Sequence, residues 1–257
     1  MTYKILLPVT VPAFLVEQKL KELPLDKTII VNNFDNKEVY NLTLQAKDKG
    51  AEVWHCPVNL GLKATWNLGL RRMMEDNNDF LVILSPSAVF DKSIGHFIQE
   101  IEYQEDFIQR CRYIATTNAH LHCFAHTKRC VELGGYFDEN FYPLFYGDCD
   151  WMQRAKFNGV LKESIYCGLD NVVHSAGISL SVKADERLMA CHMLNAQRRN
   201  DYYIKKWGGD HCSEKYKTPF NDPYCPINHW VLEDNFVNPL LGDYKGKPDF
   251  YKYLIKL

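Results

Sequence analysis

The chain has 257 residues, 46% hydrophobic and 24% charged, which suits one large globular domain with a full core. A formal net charge of −2 gives no electrostatic case for a nucleic-acid or membrane-surface partner, so a charged ligand must be held by local groups. No apolar run is long enough for a bilayer, and nine scattered cysteines without a Cys-x-x-Cys pair indicate neither a disulfide framework nor a zinc knuckle.

The opening Met1–Pro8 is too short an apolar stretch for a signal peptide and reads as a strand over Tyr3–Pro8. With the cysteines read as reduced thiols, a cytoplasmic location is expected. Phe14–Leu23 has helical spacing. Lys27–Val31 is a β-branched run that ends in the turn-rich cluster Asn32-Asn33-Phe34-Asp35-Asn36. Val39–Lys49 reads as a helix closed by Gly50, Ala51–His55 as a strand, Leu62–Asp76 as a long helix and Phe80–Leu84 as a central strand. This alternation predicts a mostly parallel α/β sheet flanked by helices. Ligands of such sheets sit beyond the carboxyl ends of the strands, which puts Pro8–Pro12, Asn32–Asn36, Pro57–Gly61 and Ser85–Val89 on one rim.

The second half is less regular. Ile94–Gln109 reads as a helix, Tyr113–Cys123 as extended, and Thr127–Leu133 as a helical turn capped by Gly134. Asp148–Asn158 reads as a helix ended by Gly159, Leu161–Tyr166 and Asn171–His174 as strands, and Ala184–Lys206 as one long helix stopped by Gly208-Gly209. The proline- and aromatic-rich tail is expected to pack on the domain, giving a main unit over 1–207 and an extension over 208–257.

Three groups of residues could carry chemistry. Asn59-Leu60-Gly61-Leu62-Lys63 follows a strand and opens a helix that continues through Asn67. Its glycine would let backbone approach a ligand, and the helix N-terminus with Lys63 would suit a diphosphate. The same residues also make an ordinary strand-to-helix turn. Asp148 and Asp150 stand at the start of a helix, after Phe141-Tyr142-Pro143-Leu144-Phe145-Tyr146. Carboxylates there can simply cap the helix, or an apolar wall can make one a better base. His174 ends a strand before a Ser/Gly loop and is either a buried core histidine or a metal or phosphate contact. His120, His122, His126 and Cys123 invite a metal reading, although His120 and His122 alternate as residues on one strand face do.

In their order, these pieces resemble the family 2 glycosyltransferases, which have the GT-A fold. The resemblance covers roughly residues 3–180. It is carried by Pro8-Val9-Thr10, the Asn32–Asn36 turn, Asn59-Leu60-Gly61 through Asn67-Leu68-Gly69, Gly134-Gly135-Tyr136-Phe137-Asp138-Glu139, Tyr146-Gly147-Asp148-Cys149-Asp150 with Arg154, and His174 to Gly177. It implies a Rossmann-like sheet with a small acceptor-side sheet and a C-terminal extension. It also implies an inverting transfer of sugar from a nucleotide-diphosphate sugar to a glycan or glycoconjugate hydroxyl. Asp148 would be the catalytic base. Pro8, Thr10, Asn32, Asn33, Asp35, Asn59, Gly61, Lys63, Asn67, Ser85 and Ser87 would bind the donor. Asp138, Glu139, Tyr146, Asp150 and Trp151 would form the acceptor side, and Arg154 would brace the helix. Mn²⁺ or Mg²⁺ would be the metal, with His174 as a ligand.

Two departures stand out. The family's Glu before the base is Gly147, and its metal-binding Asp-x-Asp after the central strand is Ser85-Pro86-Ser87. Hard cations prefer carboxylate oxygens. The alternatives are a metal held by the diphosphate, His174 and waters; replacement of the metal by Lys63 or a helix terminus; and a catalytically degenerate GT-A-like protein that binds nucleotide or glycan. A sugar nucleotidyltransferase is disfavoured because Pro8-Val9-Thr10-Val11-Pro12 is too stiff to cradle a triphosphate.

Overall fold

The computed structural model describes residues 1–89, 93–103, 113–115, 121–163, 165–166, 173–174, 178–233 and 250–257. The first half alternates strand and helix as its periodicity predicts: β1 (Tyr3–Val9), α1 (Ala13–Glu22), β2 (Thr28–Asn32), α2 (Lys37–Asp48), β3 (Glu52–His55), α3 (Leu62–Glu75) and β4 (Phe80–Leu84). Then come β5 (Ala88–Val89), α4 (Ile94–Glu102), β6 (Tyr113–Ala115), β7 (Cys123–Thr127), α5 (Lys128–Gly134) and α6 (Gly147–Phe157). The chain continues through β8 (Ile165–Tyr166), β9 (Val173–His174), α7 (Ile178–Lys183), α8 (Glu186–Leu194), α9 (Ala196–Trp207) and β10 (Ile255–Lys256).

Among the described residues the main sheet has the order β10-β3-β2-β1-β4-β7-β6-β8. The strands are mutually parallel except β7 and β10, which run against the rest. The fold is therefore mixed α/β, with a mostly parallel central sheet flanked by helices. β5 and β9 form a separate two-stranded sheet in which Ala88 pairs with His174.

Side-chain alternation divides the core between the two faces of the sheet. Ile5, Leu7 and Val9 of β1, with Phe80, Val82 and Leu84 of β4, pack under α1, α2 and α4. Leu6, Leu81 and Ile83 pack under α3, α5 and α6. Gly69 brings α3 down onto β1, because a Cβ there would stand 2.6 Å from a Leu6 methyl. The strand order reverses on either side of β1, so the loops after β1 and β4 diverge and leave a crevice between them.

Several expectations need correction. Tyr113–Cys123 is not one extended stretch: β6 and β7 are separate antiparallel strands, with 116–120 outside the described residues. The expected Thr127 helix start hid β7. All five of its residues are buried, so it lacks the alternation that marks a half-buried strand. Thr127 is the N-cap of α5, its Oγ1 accepting from the Cys130 N–H, and Gly135 rather than Gly134 caps the other end at φ 71°. Residues 160–163 of the Leu161–Tyr166 expectation form a 3₁₀ turn, leaving only β8 extended. The long Ala184–Lys206 helix is two helices. Asn195 breaks it at φ −102° and ψ 0°, its Nδ2 donating to the Cys191 carbonyl at 2.8 Å. The end of the Ile94–Gln109 expectation lies outside the described residues.

The C-terminal segment returns to the domain twice. β10 adds an antiparallel edge to β3, and Tyr251 donates its hydroxyl to Glu139 at 2.7 Å. No helix among the described residues is long and apolar enough to cross a membrane.

Candidate functional site

A cleft of about 590 Å³ opens over the carboxyl ends of the parallel strands. One wall is built from the segments that follow them: Pro8 and Thr10 at β1, Asn33 after β2, Asn59 and Lys63 at the β3–α3 connection, and Ser85 and Ser87 after β4. The lining continues through Pro143, Leu144 and Phe145, then Asp148 and Cys149 in the first turn of α6. Eight expected site residues thus meet in one cavity: Pro8, Thr10, Asn33, Asn59, Lys63, Ser85, Ser87 and Asp148.

The Asn33–Asn59 pair sets the loop geometry. Asn33 Nδ2 donates to Asn59 Oδ1 (3.0 Å), which also accepts from the Gly61 N–H (2.9 Å). Asn33 Oδ1 accepts from the Leu60 N–H at 2.6 Å. Asn59 itself sits at φ 57°, a left-handed conformation that asparagine tolerates better than most residues. Gly61 has φ 83°, and a Cβ there would stand 2.7 Å from the Tyr142 ring. The glycine therefore admits Tyr142 rather than a ligand's phosphates, and the first N–H of α3, at Leu62, is taken by the Pro143 carbonyl at 2.7 Å. Lys63 remains the cationic element of that helix terminus.

Asp148 is half-buried in the cleft, and its Oδ1 is buried with no hydrogen-bond partner among the described residues. Beside it, burial and the Asp148 charge push the Cys149 thiol up to about 12, so it stays protonated. A carboxylate that lines a cleft can accept a proton from a bound hydroxyl.

Asp150 is a different kind of residue from Asp148. It is fully buried, pairing with Arg154 (2.9 Å) and Lys206 (2.7 Å) and accepting from the Trp207 indole (3.0 Å). Those cations hold its carboxyl below the usual range despite burial. Lys206 also reaches Asp138 at 2.8 Å, and Asp138 accepts from Tyr202 and Asn140. Two acids and two bases thus neutralise one another beneath α6, and α9 is clamped to it. Asp138 and Asp150, expected on the acceptor side, both lie in this buried cluster.

Other expected residues also fall outside the cleft. Trp151 is buried and stacks on His126, with ring centroids 4.7 Å apart. Asn67 clamps backbone instead of donor: it accepts from the Phe137 N–H and donates to the Phe137 carbonyl, both at 2.8 Å. Glu139 is held by Asn67, Arg71 and Tyr251. Tyr146 turns its hydroxyl to Asn200 and Asp210. Asp35 is exposed, while Asn32 is buried and its side-chain amide has no hydrogen-bond partner among the described residues. For His174 only the backbone is described, in β9 opposite Ala88.

The cleft also includes Phe145 of the expected apolar wall, His122, and three residues not expected there: Trp66, Ser181 and His211. Phe145 and Tyr146 both adopt positive φ, 67° and 56°, which turns the chain sharply into α6. The aromatic run before Asp148 signalled an apolar wall, whereas Ser181 and His211 lie in aperiodic sequence. His126 belongs to the core, where burial and then Arg154 lower its pKa to about 3.

The metal implied by the resemblance does not fit the described residues. After β4 the donors are Ser85 and Ser87, whose hydroxyls hydrogen-bond each other at 2.8 Å. Asp148 is the one acid among the described cleft-lining residues, and no described group of three His, Cys, Asp or Glu could hold an ion.

No family model matches the chain, and no curated protein does. Among solved structures it is similar to S. aureus TarS, at 12% identity and TM-score 0.49 over 83% of this chain and 44% of that one. It is similar to GalNAc-T7, solved with UDP, GalNAc and Mn²⁺, at 11% identity and TM-score 0.48 over 80% and 50%. It is also similar to a nucleotide-diphospho-sugar transferase from Desulfovibrio desulfuricans, described as putative, at 12% identity and TM-score 0.44 over 77% and 99%. The chain spans half or less of the length of the first two. At these values the likeness assigns neither activity nor substrate to this chain.

Proposed function

We propose that this chain is an inverting glycosyltransferase of GT-A type, similar to family 2, with a nucleotide-diphosphate sugar as donor. The acceptor is a hydroxyl of a glycan or glycoconjugate. One observation carries the reading: Asp148 lines one cleft with residues that follow β1, β2, β3 and β4, in the crevice where such sheets bind nucleotides. Thr10 and Asn33 lie on the nucleoside side, and Asn59 and Lys63 on the diphosphate side. Asp148 takes the proton of the acceptor hydroxyl as its oxygen attacks the anomeric carbon. The carbon–oxygen bond to the diphosphate breaks, its electron pair leaves with the nucleoside diphosphate, and the configuration inverts. The apolar residues Pro143, Leu144 and Phe145 limit water at the reacting centre. Free thiols at Cys56, Cys149, Cys191, Cys212 and Cys225 suit the cytoplasmic location expected above.

A second reading is a non-catalytic nucleotide- or glycan-binding relative, favoured by the serines at positions 85 and 87. The two separate in an assay of purified protein with UDP-, GDP- and dTDP-sugars. Release of nucleoside diphosphate that rises with a glycan acceptor supports the transferase. Binding without release under any of these conditions moves the assignment to the binder.

A further inference from the structure

Lys63 occupies an unusual position. It is 3% exposed, it lines the cleft, and it has no ion-pair partner among the described residues. Its ammonium rests over the Trp66 ring, 4.1 Å from the centroid. Lysines are seldom buried this completely without a carboxylate partner, since removing the ammonium from water is costly. The fold makes room for it at Gly147, where a Cβ would stand 2.2 Å from Lys63 Cε and 2.9 Å from Cδ. A side chain at position 147, where the resemblance expects glutamate, would force the stem of Lys63 to shift.

From this arrangement we infer that Lys63 neutralises the diphosphate of the donor, so that the site works without a tightly held divalent cation. The inference rests on the donor reading proposed above and specifies how that site handles charge. Three observations converge on it. The strand-end position that should supply metal carboxylates carries serines. A buried cation that makes no ion-pair contact among the described residues lines the same cleft. The residue that would block that cation is glycine. Burial lowers the Lys63 pKa, with the Asp148 charge foremost in acting the other way, so a bound diphosphate would favour the charged ammonium. The N-terminus of the 14-residue α3 adds its dipole to the same end of the cleft.

The test is calorimetric titration of UDP, GDP and dTDP, and of the matching nucleosides, into wild type and Lys63→Met, each in EDTA and in Mn²⁺. The expected result is that one nucleoside diphosphate binds wild type equally well in EDTA and in Mn²⁺. Lys63→Met should then weaken that diphosphate roughly 10- to 100-fold while changing nucleoside affinity little. Diphosphate binding that requires Mn²⁺, or that is equal in the variant, overturns the inference and leaves the donor reading intact. Absence of binding by every nucleotide and nucleoside overturns both. Should Lys63→Met fail to fold, the comparison of EDTA with Mn²⁺ on wild type decides alone.

Discussion

Lys63 lies across Gly147, so that its stem fills the space where a side chain on the first residue of the helix carrying Asp148 would stand. The contact ties the β3–α3 connection to α6. Gly147→Ala should therefore destabilise the fold by about 1–3 kcal/mol, the range for inserting a methyl group into packed space. Adding Lys63→Ala should recover part of that loss, giving a coupling of roughly 0.5–3 kcal/mol in a double-mutant cycle measured by urea unfolding. Additive effects would show that the two side chains do not compete.

Lys206 holds Asp138 and Asp150 together, and all three are fully buried. Truncating it to methionine leaves the two carboxylates with Arg154 as the one remaining base of the cluster. The expected cost is about 3–5 kcal/mol, since the loss strands buried charge. A urea midpoint within error of wild type would show that the cluster is not the clamp on α6.

His126 makes stability depend on pH. Its folded pKa of about 3 lies below the ordinary value of about 6.5, so its contribution is complete above pH 6.5 and is lost as pH falls towards 3. Between pH 7 and pH 5 this one group should remove about 2 kcal/mol. His55 and His192 are also lowered by burial and act in the same direction, so the comparison is with His126→Phe. That ring can keep the stack against Trp151 and Phe137. The variant should have a shallower stability slope over that range, and an unchanged slope would contradict the assignment.

The strand-end part of the cleft was legible in the sequence because its residues follow strands, and strand ends are marked by apolar runs that stop at Pro8, Asn32 and Ser85. The part around α6 was not. Asp148 and Asp150 are one residue apart in sequence, yet one faces the cleft and the other is sealed by Lys206 and Trp207, more than fifty positions along the chain. Nothing local to Asp138, Asp150, Trp151 or Asn67 shows that a distant helix or loop covers it. β7 was missed for a related reason: a strand buried on both faces carries no alternating pattern. Gly147, which looked like a lost glutamate, has a physical cause only when Lys63 is seen beside it.

Comparing Asp148→Asn with wild type in sugar transfer, alongside donor binding by each protein, tests the central claim most directly. The account predicts that the variant binds the nucleotide donor as wild type does while its turnover falls roughly 10²- to 10⁴-fold, the loss expected when a general base is removed. Wild-type turnover in Asp148→Asn would contradict it.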